Sequence, residues 1–235
     1  MEKAVFNWSG GKDSALALYK ILKKKEYDVC SLLTSVSEKN NRISMHGIRT
    51  SLLEKQAESI GIPLTKLMLA ESSSMELYED KLEKCLFELI KKTAYTHLIY
   101  GDIFLEDIRS YREKQLGKLN LKAVFPLWKK NTKNLIHKFI ELGFKSVIVC
   151  VDERYLDSSF LGRIIDDNFI NALPENVDPC GENGEYHSFV FDGPIFSFPL
   201  NFTIGEKVFK KYKSHSNDDN SKDAENGFWF CDLLT

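Results

Sequence analysis

The sequence predicts an α/β protein in which a parallel sheet is flanked by helices and a small β-containing region follows at the C-terminal end. Two observations lead there. Through the first two-thirds of the 235 residues, short β-branched or aromatic runs alternate with longer stretches of helical spacing, the pattern of βαβ units. After Val151 that alternation fades into a stretch rich in Gly, Pro and Asn, where turn formers are too dense for regular structure.

Six strands are predicted in order, at residues 3–7, 28–36, 64–69, 97–101, 123–125 and 146–151, most of them short apolar runs as expected for strands covered on both faces. Between them, helical spacing puts Ala15, Leu18, Tyr19 and Leu22 on one face, then Tyr78, Leu82, Cys85, Leu86 and Leu89, then Leu135, Phe139 and Leu142. These stripes read as core. Further strands are expected at 188–191 and 195–198 around Asp192-Gly193-Pro194, with a last one at 228–231. The nearly all-polar stretch near 213–226 reads as a mobile tail. The expected division is a nucleotide-handling domain over 1–151 and a substrate-binding region over 152–235.

Composition narrows the function classes. Hydrophobic residues make up 43% and charged residues 28%, and Lys+Arg 32 against Asp+Glu 34 leaves a net charge of -2, so no chain-wide basic field attracts nucleic acid. No direct nucleic-acid binding is expected. The apolar run after Met1-Glu2-Lys3 is too short for a signal peptide and no segment approaches the ~20 apolar residues of a membrane span, so the expectation is a cytoplasmic protein without membrane contact. The five cysteines are odd in number, scattered and never in a C-x-x-C pair, which suggests neither a disulfide framework nor a Cys-rich zinc site.

The motif with the clearest chemistry is Ser9-Gly10-Gly11-Lys12-Asp13-Ser14, directly after the first strand. Two glycines let the backbone turn tightly and point successive N–H groups into a common hollow, and the helix that follows offers its positive end. Ser9 and Ser14 add hydroxyls, Lys12 an ammonium for a phosphate oxygen, and Asp13 a carboxylate for Mg²⁺. It is not a Walker A loop, since no glycine stands at the required position before the Lys. The plainer alternative is a Gly-rich helix start with a Ser N-cap. This hexapeptide resembles the PP-loop of the ATP pyrophosphatase superfamily, whose enzymes release pyrophosphate and adenylate a substrate oxygen.

Other sites are weaker alone. Gly101-Asp102 closes a predicted parallel strand, where open α/β sheets bind ligands, so Asp102 is a candidate for magnesium or nucleotide, or else a helix cap. In Glu106-Asp107-Ile108-Arg109-Ser110-Tyr111-Arg112-Glu113, Glu106, Arg109 and Glu113 share a helical face with Arg112 beside it, which is either a substrate grip or a solvated, salt-bridged surface. His46, in Ser44-Met45-His46-Gly47-Ile48-Arg49, is either a nucleotide contact or an ordinary helix-start histidine. The loop Gly181-Glu182-Asn183-Gly184-Glu185-Tyr186-His187-Ser188 offers two carboxylates, an imidazole and a phenol for a cationic ligand or proton transfer, or is a hairpin turn.

Taken in order, S-G-G-K-D-S, M-H-G-I-R, G-D-I-F-L-E-D-I-R-S-Y-R-E, F-P-L-W at 125–128, V-D-x-x-x-L-D-x-S-F-L-G-R at 151–163 and D-P-C-G-E-N-G-E-Y-H-S-F-V-F-D-G-P-I-F at 178–196 resemble the diphthine–ammonia ligase family, an N-type branch of that superfamily, over nearly the whole chain except the polar tail. The resemblance implies a Rossmann-like (HUP-type) sheet. It also implies a reaction in which ATP, with Mg²⁺, activates the carboxylate of diphthine on translation elongation factor 2 as an acyl-adenylate that ammonia converts to the amide. Carried onto this sequence, Ser9, Gly10, Gly11, Lys12, Asp13, Ser14, His46 and Gly101 would bind ATP, and Asp13 and Asp102 the metal. Arg109, Arg112, Glu182, Asn183, Gly184, Glu185, Tyr186 and His187 would receive the acceptor, and Lys12, Asp13, Asp102, Glu182, Glu185 and His187 would carry the chemistry. Ser188 stands where the family often has Thr. The residues include no glutaminase domain, so free ammonium is the expected nitrogen source, and the lack of C-x-x-C argues against the tRNA thiolases, another branch of that superfamily. Two readings stay open beside it: an adenylating ligase acting on another carboxylate metabolite, as in a bacterium without diphthine, and a nucleotide-binding sensor without chemistry. The expectation allows a homodimer.

Overall fold

In the computed structural model, which describes residues 1–43, 47–70, 74–213 and 225–235, β1 (Glu2–Asn7) runs through the middle of a parallel sheet. Its pleat sends Ala4 and Phe6 to one face and Val5 to the other, and all three are fully buried. Each face opens into its own core. On the first, α1 (Lys12–Lys24) and α2 (Thr50–Ile60) pack Leu18, Ile21, Leu52 and Leu53 against the sheet. On the second, α3 (Met75–Thr93) and α4 (Glu106–Gly117) bring Leu86, Leu89 and Leu116.

β2 (Tyr27–Ser37) and β5 (His97–Ile99) flank β1 in parallel, β4 (Leu64–Leu69) adds to the far edge of β2, and β6 (Lys122–Val124) to the far edge of β5. The parallel strands are therefore ordered third, second, first, fourth, fifth. This is the doubly wound, Rossmann-like arrangement, in which the chain reverses its direction of travel between β1 and β5 and leaves a crevice at their carboxyl ends. A two-residue strand, β3 (Arg42–Ile43), pairs antiparallel with the tip of β2. The first five predicted strands and the helical stripes thus fall where the pattern put them.

The sixth predicted strand does not. β7 (Lys145–Asp152) lies in a second, antiparallel sheet of order β8-β7-β10-β9, with β8 (Tyr186–Asp192), β9 (Thr203–Lys213) and β10 (Glu225–Leu234). It reads as a parallel strand because residues 146–152 are all buried, on both faces, and antiparallel strands are seldom so wholly covered. Residues 195–198, expected as a strand, form none. Ser197 N donates to Ser59 O at 2.8 Å and Ser59 Oγ to Phe198 O at 2.6 Å, so this stretch binds the end of α2. β9 escapes the sequence reading because Glu206, Lys207, Lys210 and Lys211 break its apolar alternation, as charges do on edge strands. The final strand at 228–231 is found within β10, and most of the polar stretch at 213–226 lies outside the described residues. Among the described residues no helix is long and apolar enough to cross a membrane.

Asp232 fastens this hairpin to the first sheet. Its carboxylate receives Arg42 Nη1 at 2.8 Å and both Arg49 Nε, at 3.1 Å, and Arg49 Nη2. Burial pushes the Asp232 carboxyl up, but the two guanidinium groups outweigh it and hold the group well below the usual carboxylate range.

Candidate active site

The phosphate loop turns between β1 and α1 on Gly10, whose φ of +76° is left-handed, and the extended Gly11 at the helix N-cap. No side chain caps α1, which removes the Ser N-cap alternative: Ser9 Oγ instead accepts Gly11 N at 3.3 Å and lies 2.9 Å from Ser14 Oγ, and Ser14 Oγ donates to Gly11 O at 3.0 Å. Ser188 of β8 accepts Lys12 N at 3.3 Å, so the C-terminal sheet reaches the loop. The Lys12 side chain is 6% exposed, with its ammonium 2.7 Å from Asp13 Oδ2 and 5.1 Å from the centre of the Tyr186 ring. Burial works against that charge, but Asp13, Tyr186 and Cys180 outweigh it and raise the Lys12 pKa, so the cation persists.

Across the crevice, Gly101 follows β5 and presses on the start of α1. A Cβ there would meet Ser14 N at 3.0 Å and the Asp13 carbonyl carbon at 3.1 Å, both of them backbone atoms. Gly101→Ala is therefore expected to displace residues 9–14 with the fold intact by circular dichroism, and shifted amide signals confined to the start of α1 would show it. Next to it, Asp102 does not cap α4, whose N-cap is Leu105 without a side-chain bond. Its carboxylate is held by Arg112, with Nε 3.0 Å from Oδ2 and Nη2 3.2 Å from Oδ1, while the guanidinium lies 4.0 Å from the centre of the Tyr100 ring. Burial raises the Asp102 pKa, Arg112 opposes, and the charge of Asp13 adds to the rise. Arg109 bonds Glu113 at 2.8 Å and lies over Trp128 and Phe125, at 4.7 and 5.1 Å from the ring centres. The helical spacing pointed to that ion pair but did not reveal its aromatic backing.

The 181–188 loop is built from inside. Glu185 is fully buried, and its carboxylate accepts Asp178 N at 3.0 Å and the backbone and side-chain nitrogens of Asn183, each at 2.9 Å. Asp178 in turn accepts Cys180 N at 2.8 Å and Thr132 Oγ1 at 2.7 Å. Gly181 is left-handed and lies against Tyr186, whose hydroxyl donates to Pro179 O at 2.6 Å, while the equally left-handed Gly184 turns in open space. With Glu185 turned inward, Glu182 is the acid at the crevice. Its Oε1 accepts Phe104 N at 3.0 Å and Ile103 N at 3.2 Å. Burial pushes its pKa up to about 7, with Asp13 adding to the rise and the two backbone bonds and Lys12 opposing it.

The crevice thus gathers Lys12, Asp13, Asp102, Arg112, Glu182, Tyr186 and Ser188. His187 stands between Tyr186 and Ser188 on β8, where strand alternation puts it on the face opposite theirs. His46 lies outside the described residues. Among the described residues no three His, Cys, Asp or Glu side chains cluster as a metal site. Asp13 and Asp102 are a pair of carboxylates whose like charges a cation would relieve, and one or two carboxylates beside phosphate oxygens are what Mg²⁺ ordinarily takes.

Two features escaped the sequence reading. One is a cleft of about 730 Å³ at the carboxyl ends of β2 and β4, lined by Ser37, Leu69, Tyr78, Tyr111, Tyr212 and Phe230 among others and roofed by the β9–β10 hairpin. The other is Gln56, a fully buried amide on α2 whose signal was available: it is the polar member of the stripe Leu52, Leu53, Gln56, Ala57, Ile60.

Residues 1–123 match the family model described as diphthamide synthase N-terminal domain, and residues 131–220 that of the diphthamide synthase C-terminal domain. A diphthine–ammonia ligase of Homo sapiens is 25% identical over 211 residues, covering 80% of this chain and 78% of that protein. One from Schizosaccharomyces pombe is 24% identical over 218 residues, covering 85% of this chain but only 36% of the longer relative. Among solved structures, a U34-tRNA thiolase, NcsA, from Methanococcus maripaludis superposes with a TM-score of 0.37 at 20% identity, over 60% of this chain and 57% of that one, a likeness too loose to bear on the site.

Proposed function

The chain belongs to the diphthamide synthase family, and from that premise we propose that it is an ATP-dependent ligase that adenylates a carboxylate and amidates it with ammonia, the acceptor being diphthine on translation elongation factor 2. One observation carries the reading above all: Lys12, Asp13, Asp102 and Glu182, from three separate stretches of chain, converge where the order of the parallel strands reverses.

In this reading the triphosphate lies on residues 9–14, with Lys12 against the departing pyrophosphate. The adenosine turns into the aromatic cleft beside β2 and β4, and the acceptor enters on the β5 side. Mg²⁺, held by Asp13 and Asp102, would add its charge to that of Lys12 on the leaving group. Arg112 orients Asp102. Arg109 receives the acceptor carboxylate, giving up an i,i+4 pair with Glu113 worth only about 0.3–0.5 kcal/mol. The carboxylate oxygen attacks the α-phosphorus as the bond to pyrophosphate breaks. Ammonia then attacks the acyl carbon, AMP leaves with that oxygen, and Glu182 takes the proton lost by nitrogen, its pKa of about 7 matching that task. Glu185 and Asp178 act by holding the loop.

The test is to incubate the protein with ATP, Mg²⁺, ammonium and elongation factor 2 bearing diphthine, and to identify the products. AMP, pyrophosphate and the amide in equal amounts support the proposal. ADP and phosphate overturn it, as does tight ATP binding without turnover. Turnover with a small carboxylate but not with diphthine keeps the ligase and replaces the acceptor.

A further inference from the structure

The amide of Gln56 stands where three parts of the molecule meet. Its Oε1 accepts the indole N–H of Trp8, the residue just before the phosphate loop, at 2.8 Å. Its Nε2 donates to Gly10 O within that loop at 3.0 Å and to Val190 O on β8 at 2.6 Å. Val190 N also donates to Gly10 O, at 2.9 Å. Gln56 and Trp8 are 0% and 1% exposed, so none of these groups has water to fall back on. The same amide shapes the loop sterically: a Cβ on Gly10 would come within 2.8 Å of Gln56 Oε1 and of Leu53 Cδ2.

We propose that Gln56 is a positioning residue that sets the Gly10 carbonyl, and with it the direction of the phosphate-binding N–H groups, and that it makes this setting depend on β8, the strand that leads out of the 181–188 loop. One side-chain amide can do this because its acceptor oxygen and one donor hydrogen go to the segment between β1 and α1, at Trp8 and Gly10, and its second donor hydrogen goes to β8. A peptide plane fixed at its carbonyl is fixed at its N–H as well, here the N–H of Gly11, whose long 3.3 Å bond to Ser9 Oγ a phosphate oxygen would replace. Gln56 touches neither ATP nor acceptor. Its effect passes through Gly10 on one side and Val190 on the other, so that the phosphate loop is ordered for ATP when the acceptor side is docked.

This inference rests on the reading of residues 9–14 as the ATP site, and binding is measured on the wild type first so that the two fail separately. If the wild type binds no Mg–ATP by calorimetry, the functional proposal falls. If it binds, Gln56→Met, close in size but unable to donate, is expected to bind Mg–ATP at least tenfold more weakly and to raise the Michaelis constant for ATP more than it lowers turnover at saturation. A folded Gln56→Met protein that binds ATP like the wild type overturns the inference. Should that variant not fold, Gln56→Glu decides. A neutral carboxylic acid keeps one donor and a carboxylate keeps none, so its affinity for ATP relative to the wild type is expected to rise as pH falls. A ratio that does not change with pH also overturns it.

Discussion

Exchanging Lys12 for methionine is expected to lower the rate of pyrophosphate release about 10²- to 10³-fold, the range found when one preorganised donor to developing negative charge is removed. The side chain is 6% exposed, and the pull of Asp13 raises its pKa despite burial, so a full positive charge stands ready without solvent reorganisation. Removing it also leaves Asp13 facing the crevice unpaired. Burial already raises the Asp13 pKa against the pull of Lys12, and losing that pull raises it further. Lys12→Arg is expected to rescue little, since a planar guanidinium does not fit a slot shaped to an ammonium between Asp13 and Tyr186. Retention of turnover within threefold in Lys12→Met would take the loop out of the chemistry.

The second large effect belongs to Glu182. Wild-type turnover is expected to climb with pH through about 7 as this carboxyl loses its proton, and Glu182→Gln to lose that limb together with about 10²- to 10⁴-fold of rate. Stability carries the opposite sign. The folded pKa is raised, so between the ordinary carboxylate range and pH 7 the native state holds a proton that the unfolded state has released. Stability therefore falls as pH rises across that interval. Glu182→Gln should remove the fall and be relatively more stable at pH 8 than at pH 5, as denaturant unfolding at the two pH values would reveal. A catalytic limb that survives in Glu182→Gln would assign the titration to another group.

The elements that could be read from sequence are those where local pattern and tertiary role agree. The loop at 9–14, the first five strands and the Asp102 position follow from apolar runs and turn chemistry, and the sheet order then puts the loop and Asp102 side by side. What could not be read depends on long-range pairing. Nothing in residues 146–151 distinguishes a buried antiparallel strand from a parallel one, and the lysines of β9 hide a strand whose partner lies beyond the polar stretch. Glu182 and Glu185 look alike in the sequence, two acids in one glycine-rich loop. Only the fold turns Glu185 inward to Asp178 and Asn183 and leaves Glu182 on the backbone of Ile103 and Phe104. Gln56 is the converse case: its pattern position marked it as buried, but its partners are 46 and 134 residues away.

The acceptor carboxylate is expected to be joined to AMP before ammonia attacks its carbon, and an oxygen label follows that bond from the carboxylate to the nucleotide. With ¹⁸O in the acceptor carboxylate and a single turnover in the presence of ATP, Mg²⁺ and ammonium, one labelled oxygen is expected to appear in AMP and none in pyrophosphate. Label in inorganic phosphate, with ADP as the nucleotide product, would mean an acyl phosphate instead and would contradict the account.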